Sequence, residues 1–376
     1  MSFPKALIRW IIVVAVGWLF MFLTPGQWFV NWYIPMSFFL LMGTVTFGVI
    51  GLGWPFAAPG GSWKPGTNRW VTGILMTIVW IVFALIMTAI ETWIWPGNPL
   101  SGAASPEGVP GNYGAWAGIG VFTATLWYAF IGIEPRPYGP AKSWANWLLS
   151  SCVILVVAAL MFILCVHYDP TVEGMAKASW LPHGVWFGGD WMALCVWIIV
   201  FIQMFGMPMV FQGWPWYKLG QPAYPIVNTV WVIALGYVFW RWVMPGLFPD
   251  STTFTWGAIG ASVIGWSLMS SIAFEFWPFA RLKQPARGVA MFILWQLIVP
   301  ALWIMLIRWV IGPPILTHLN DAFGGPAMDI NLVTAFFTLH VTAIVLLIHN
   351  FFYMRVPLSI PGPPLGPEEI PPAPAK

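Results

Sequence analysis

The chain has 376 residues, 59% of them apolar and only 7% charged, with a formal net charge of +3. Soluble domains carry about a quarter charged residues, so a water-solvated globular fold is excluded and no nucleic-acid partner is expected. Apolar runs of roughly 20 residues, each long enough to cross a ~30 Å hydrocarbon core, recur from end to end.

The reading is an all-α integral membrane protein. Its polytopic domain covers 1–358, and a Pro-rich extended or disordered cytoplasmic tail covers 359–376. Apolar runs between Pro/Gly clusters predict about ten spans, near 6–24, 32–53, 70–95, 114–134, 144–167, 187–212, 226–247, 256–277, 288–311 and 331–354. The first begins behind Lys5 and Arg9 in the manner of a signal peptide. It runs on through Phe22-Leu23 without a small-x-small cleavage site, so it is read as a span.

Odd spans close on proline turns: Thr24-Pro25-Gly26, Trp95-Pro96-Gly97, Asp169-Pro170, Phe248-Pro249-Asp250 and Gly312-Pro313-Pro314. Even spans close on Trp54-Pro55-Phe56, Trp214-Pro215-Trp216 and Trp277-Pro278-Phe279, on the degenerate Glu134-Pro135-Arg136-Pro137, and on Arg355-Val356-Pro357. Proline cannot continue a helix's hydrogen-bond ladder and suits the turn beyond it. Shared turn chemistry at a regular interval is a repeat signature, and it predicts five two-helix hairpins in tandem, all facing one way.

Charge placement predicts orientation. Lys5, Arg9, Lys64, Arg69, Arg136, Lys142, Lys218, Arg281, Lys283, Arg287, Arg355 and Lys376 fall on the side of the even-span exits and both termini. The opposite loops carry Glu107, Asp169, Glu173, Asp250, Asp321 and Asp329, with Lys177 their one cation. The positive-inside rule then predicts a multi-pass cell-membrane protein with N- and C-termini cytoplasmic. Tryptophans crowd the predicted span ends, as an interfacial belt requires.

An ionisable group inside a bilayer is expensive and is therefore a functional candidate. Glu91, His167, Arg241 and Arg308 stand near the outer ends of four odd spans. If the hairpins are equivalent, they would share a depth and could converge on an outer site. Two arginine forks would there hold a carboxylate- or phosphate-like group, while Glu91 and His167 balance charge or relay a proton. Snorkelling to the outer headgroups is the plainer alternative. A second layer lies in the even spans: Thr46, Thr125, Gln203, Ser270, Ser271, His349 and Asn350. Hydroxyls suit helix–helix packing, but Gln203, His349 and Asn350 are bulkier and predict that even spans line an interior route.

His340 is deep in the last span and sits nine residues from His349. At about 100° per residue the two point to opposite faces, so they cannot share a metal or a haem. Outer His183, His318, Asp169, Asp190, Asp321 and Asp329 match no metal-ligand spacing. Cys152, Cys165 and Cys195 lack the spacing of a metal site or a disulfide framework. Glu134 and Glu275 lie beside Arg136 and Arg281 as local ion pairs. Phosphate-binding, dinucleotide-binding, HExxH and nucleophile-elbow motifs are all missing.

The expected function is a permease or channel-like transporter of a small solute, an anion included, rather than an enzyme, with no cofactor and no metal. Its substrate-binding candidates are Glu91, His167, Arg241, Arg308, Gln203, His340, His349 and Asn350. One alternative is a cofactor-free membrane subunit of a redox or other enzyme complex. It would hold a quinone or lipid-like molecule in a cleft and dock membrane or peripheral subunits. The other is a structural or assembly protein. In every case the lipid bilayer is the first partner.

Overall fold

A computed structural model describes residues 3–50, 68–94, 113–131, 143–165, 191–207, 209–249, 251, 253–325 and 328–353. Among them the regular structure is helical throughout, with no strand. Eight helices are long and apolar enough to cross a membrane, and two shorter apolar helices accompany them. The chain is thus an all-α, multi-pass membrane protein. The Trp54 and Glu134 turns and the tail lie outside the described residues.

In chain order the rods are α1 (Phe3–Leu23), α2 (Gly26–Gly48), α3 (Arg69–Ile94), α4 (Tyr113–Phe130), α5 (Ser143–Cys165), α6 (Trp191–Phe205), α7 (Ala223–Leu247), α8 (Thr255–Ala273), α9 (Ala286–Asp321) and α10 (Ile330–Phe351). They divide into two classes. In α2 and α8, 83% of the most apolar stretch is buried, and in α10 72%. In α1, α3, α5, α7 and α9 the share falls to between 22% and 33%. Every residue of α6 from Ala193 to Phe205 is buried, as is nearly all of α4 from Gly118. Even-numbered helices are interior and odd-numbered helices form a sleeve.

The interior helices close a ring. α2 packs on α4, α4 on α6, α6 on α8, α8 on α10, and α10 returns to α2. Outside it, α3 packs on α2, α5 on α4, α7 on α6 and α9 on α8, while α1 completes the sleeve against α10. In lipid there is little hydrophobic gain in burying one apolar helix against another, so close approach through small residues decides the partners. Gly236 of α7 lies against the backbone of Ile198 on α6, and Gly43 of α2 receives Trp80 of α3. Gly17 of α1 faces Val341 and Thr342 of α10. Between ring helices, Gly260 meets Val196, and Gly265 meets Thr338.

The packed pairs differ from the hairpins that the runs suggest. The Trp-Pro turns join an interior helix to the sleeve helix lying on it, so α6–α7 and α8–α9 are the tight units. Two of those turns share one backbone form. Positive φ occurs at Gln212 and Gly213 in one and at Glu275 and Phe276 in the other. The amide of Trp214 donates to Phe211 O at 3.0 Å, and that of Trp277 donates to Phe274 O at 2.9 Å. Tyr224 N to Gly220 O and Arg287 N to Lys283 O correspond in the same way. The Trp-Pro bonds and the Gln221-Pro222 and Gln284-Pro285 bonds that follow are all cis.

These turns interlock. Gln284 Nε2 donates to Val210 O at 2.9 Å, and Arg287 Nη2 donates to Gln212 Oε1. The buried Arg287 guanidinium also lies 5.5 Å from the centre of the Phe276 ring.

Candidate functional site

Most hydroxyls of the ring helices are spent on their own backbones. Thr44, Thr123, Thr125, Ser262, Ser267, Ser271, Thr334 and Thr338 each donate to the carbonyl four residues back. That habit satisfies a buried hydroxyl without a ligand, so the layer of Thr and Ser read from the sequence is chiefly packing. The bulkier polar groups remain.

His340 lies in the middle of α10, where the backbone is wound as a π-helix over Phe336–Ala343. Such segments are frequent at functional positions. The Ser37 hydroxyl donates to Ile34 O at 2.6 Å, and His340 Nδ1 stands 2.6 Å from Ser37 Oγ. The Tyr33 hydroxyl donates to the backbone oxygen of His340. Phe38 meets the imidazole edge-on at a 4.5 Å centroid separation, and Phe336 meets it at 4.9 Å. His340 is therefore held at the closure between α10 and α2.

Gln203, near the Trp-Pro end of α6, is fully buried, and neither amide atom has a hydrogen-bond partner among the described residues. Phe201 packs on Phe239 and Phe205 on Trp231, both in the sleeve helix α7. At 100° per residue Gln203 lies about 160° from both phenylalanines, on the side of α6 that faces into the ring. A buried amide left unpaired costs on the order of 1–3 kcal/mol, a cost that a packing role does not explain.

His349 and Asn350 meet a residue that sequence reading had used only for topology. Arg9 of α1 is fully buried; its Nε donates to His349 Nδ1 at 3.2 Å and its Nη2 to Asn350 Oδ1 at 3.3 Å. His340 turns to α2 and His349 to α1, so the two imidazoles serve different contacts. The available signal for Arg9 was depth. It stands inside the apolar run of α1 rather than in the segment before it.

Of the outer candidates, Arg241 and Arg308 have described side chains. Arg241 and Arg308 are both exposed, on the sleeve helices α7 and α9, each inside a five-residue π segment. Beside them, Trp242 and Trp309 are among the most exposed aromatic residues. The backbone of Glu91 belongs to α3, but its side chain and the whole of His167 lie outside the described residues. His318, exposed to neither extreme, places Nε2 2.7 Å from Thr24 O, and Asp329 caps α10 by accepting from Leu332 N at 2.8 Å. Cys152 is exposed and Cys195 buried.

A tryptophan cluster ties α1 to the ring. Trp10, Trp266 and Trp303 touch one another at 5.4–5.7 Å between ring centres, and Trp266 also stacks on Trp295. Trp303 Nε1 donates to Thr338 Oγ1 at 2.9 Å. Comparison with protein-family models, with curated proteins and with solved structures finds no match to this chain.

Proposed function

We propose that the protein is a channel-like permease for a small solute. It would cross the cell membrane ten times, with both termini cytoplasmic, and be built from five inner–outer helix pairs of common origin. The two equivalent Trp-Pro turns and the pairing of α2, α4, α6 and α8 each with the sleeve helix after it, and of α10 with α1, support the repeat. The cations Lys218, Arg281 and Lys283, all exposed at those turns, support the orientation.

The observation that carries the function is the segregation of helices. Five interior helices ring a common axis, and two of them turn a bulky polar group away from the sleeve. A protein needing only to anchor or assemble in lipid has no use for an unpartnered amide inside its own core. Internal repeats surrounding mid-membrane polar sites are a common plan for transporters.

The test is flux. Purified protein in liposomes should accelerate the shrink–swell relaxation of at least one of urea, glycerol and formate over protein-free liposomes, read by stopped-flow light scattering. Relaxation equal to that of empty liposomes for all three would remove the proposal.

A further inference from the structure

We propose that Phe38 is the gate of this pathway and that His340 behind it selects small uncharged hydrogen-bond donors such as ureas and amides. The inference rests on the permease reading. It starts from where Phe38 points. Gly43 and Phe47 face the sleeve, the first against Trp80 and the second against Phe83 and Trp147. Phe38 lies about 140° from Gly43 and about 180° from Phe47 around α2 at 100° per residue. It therefore projects into the ring.

From there it reaches both ring neighbours of α2. A Cβ added at Gly118 of α4 would stand 2.5 Å from the phenyl Cδ2, and on the other side the ring abuts His340 of α10. Phe38 is 1% exposed. One phenyl thus bridges α4 and α10 across the interior, seated on a glycine that leaves it room.

The chemistry behind the phenyl is specific. Because Ser37 Oγ gives its proton to Ile34 O, it receives from His340, which assigns the imidazole proton to Nδ1. Nε2 then carries the lone pair, and no described residue hydrogen-bonds it. A neutral solute with an N–H or O–H can donate to it. A full charge entering the same place would meet Ser37, Phe38 and Phe336, none of which offsets it, and an uncompensated charge in such surroundings costs several kcal/mol. Gln203, deeper toward the Trp-Pro side, offers the next amide donor and acceptor to the same class of solute.

The experiment uses wild type, Phe38→Leu, Phe38→Ala and His340→Leu in liposomes, with urea, formamide and formate as probes. Thermal unfolding followed by tryptophan fluorescence checks each variant, and Phe38→Leu is the conservative one that should keep near-wild-type stability. Removing the phenyl should raise urea and formamide rates by about tenfold. His340→Leu should lower both, and formate should stay at the protein-free rate throughout.

If wild type carries urea but neither Phe38 variant speeds it, the gate is overturned and the permease stands. Formate moving as fast as urea would overturn the uncharged-donor assignment. If no probe outruns protein-free liposomes in wild type or in either Phe38 variant, permease and gate fall together.

Discussion

At the scale of single residues, burial separates cations that look alike in sequence. Arg9, Arg241 and Arg308 all fall within apolar runs, yet only Arg9 is enclosed, and it is held by His349 and Asn350. Removing its guanidinium takes a donor from two half-buried acceptors, at roughly 1 kcal/mol each. We expect Arg9→Ala to lower the thermal midpoint in detergent by several degrees, while Arg241→Ala, at an exposed position, shifts it little. Equal shifts in the two variants would contradict the packing described for α1. Among the candidates read from sequence, Gln203, His340, His349 and Asn350 stood out because a bulky polar side chain in an apolar run is conspicuous. The partners Tyr33, Ser37 and Arg9 were not legible, since each lies hundreds of positions away along the chain or looked like an ordinary anchor.

At the scale of helices, glycine placement decides which faces meet. A Cβ on Gly236 would stand 2.9 Å from Ile198 N and 3.0 Å from Ile198 Cα, and backbone cannot give way as a side chain can. Gly246, also in α7, has open space around the same position. Gly236→Ala should therefore destabilise by about 1–3 kcal/mol, the usual cost of overpacking. Gly246→Ala should be neutral or slightly stabilising. Paired thermal melts check the contrast, and a tolerated Gly236→Ala would mean that α7 does not sit on α6 as closely as described. Gly312-Pro313-Pro314 does not stop α9, which runs on to Asp321, but span positions were readable because helix length is a local property. The pairing of helices was not: an apolar run on α7 is compatible with many neighbours, and the one chosen depends on a notch that only its partner's shape gives meaning to.

At the scale of the whole molecule, orientation is open to direct measurement. In a background lacking Cys152, Cys165 and Cys195, single cysteines at Lys218 and Lys283 should react with a membrane-impermeant thiol reagent only after cells are opened. A cysteine at Asp321 should react in intact cells. Labelling in the reverse pattern would invert the topology. The sequence by itself determined that this chain lives in a bilayer, about where its spans fall, and which loops share a charge. Those follow from hydrocarbon thickness, backbone hydrogen bonding and the sidedness of cations, all of which act on short stretches of chain. Only the tertiary structure decided that even helices lie inside and odd ones outside, that the inner five close on themselves through α10 and α2, and that Phe38 spans the interior to reach His340. In lipid every apolar helix face is equally content with solvent, so these choices belong to shape complementarity and to a few buried polar contacts between segments far apart in the chain.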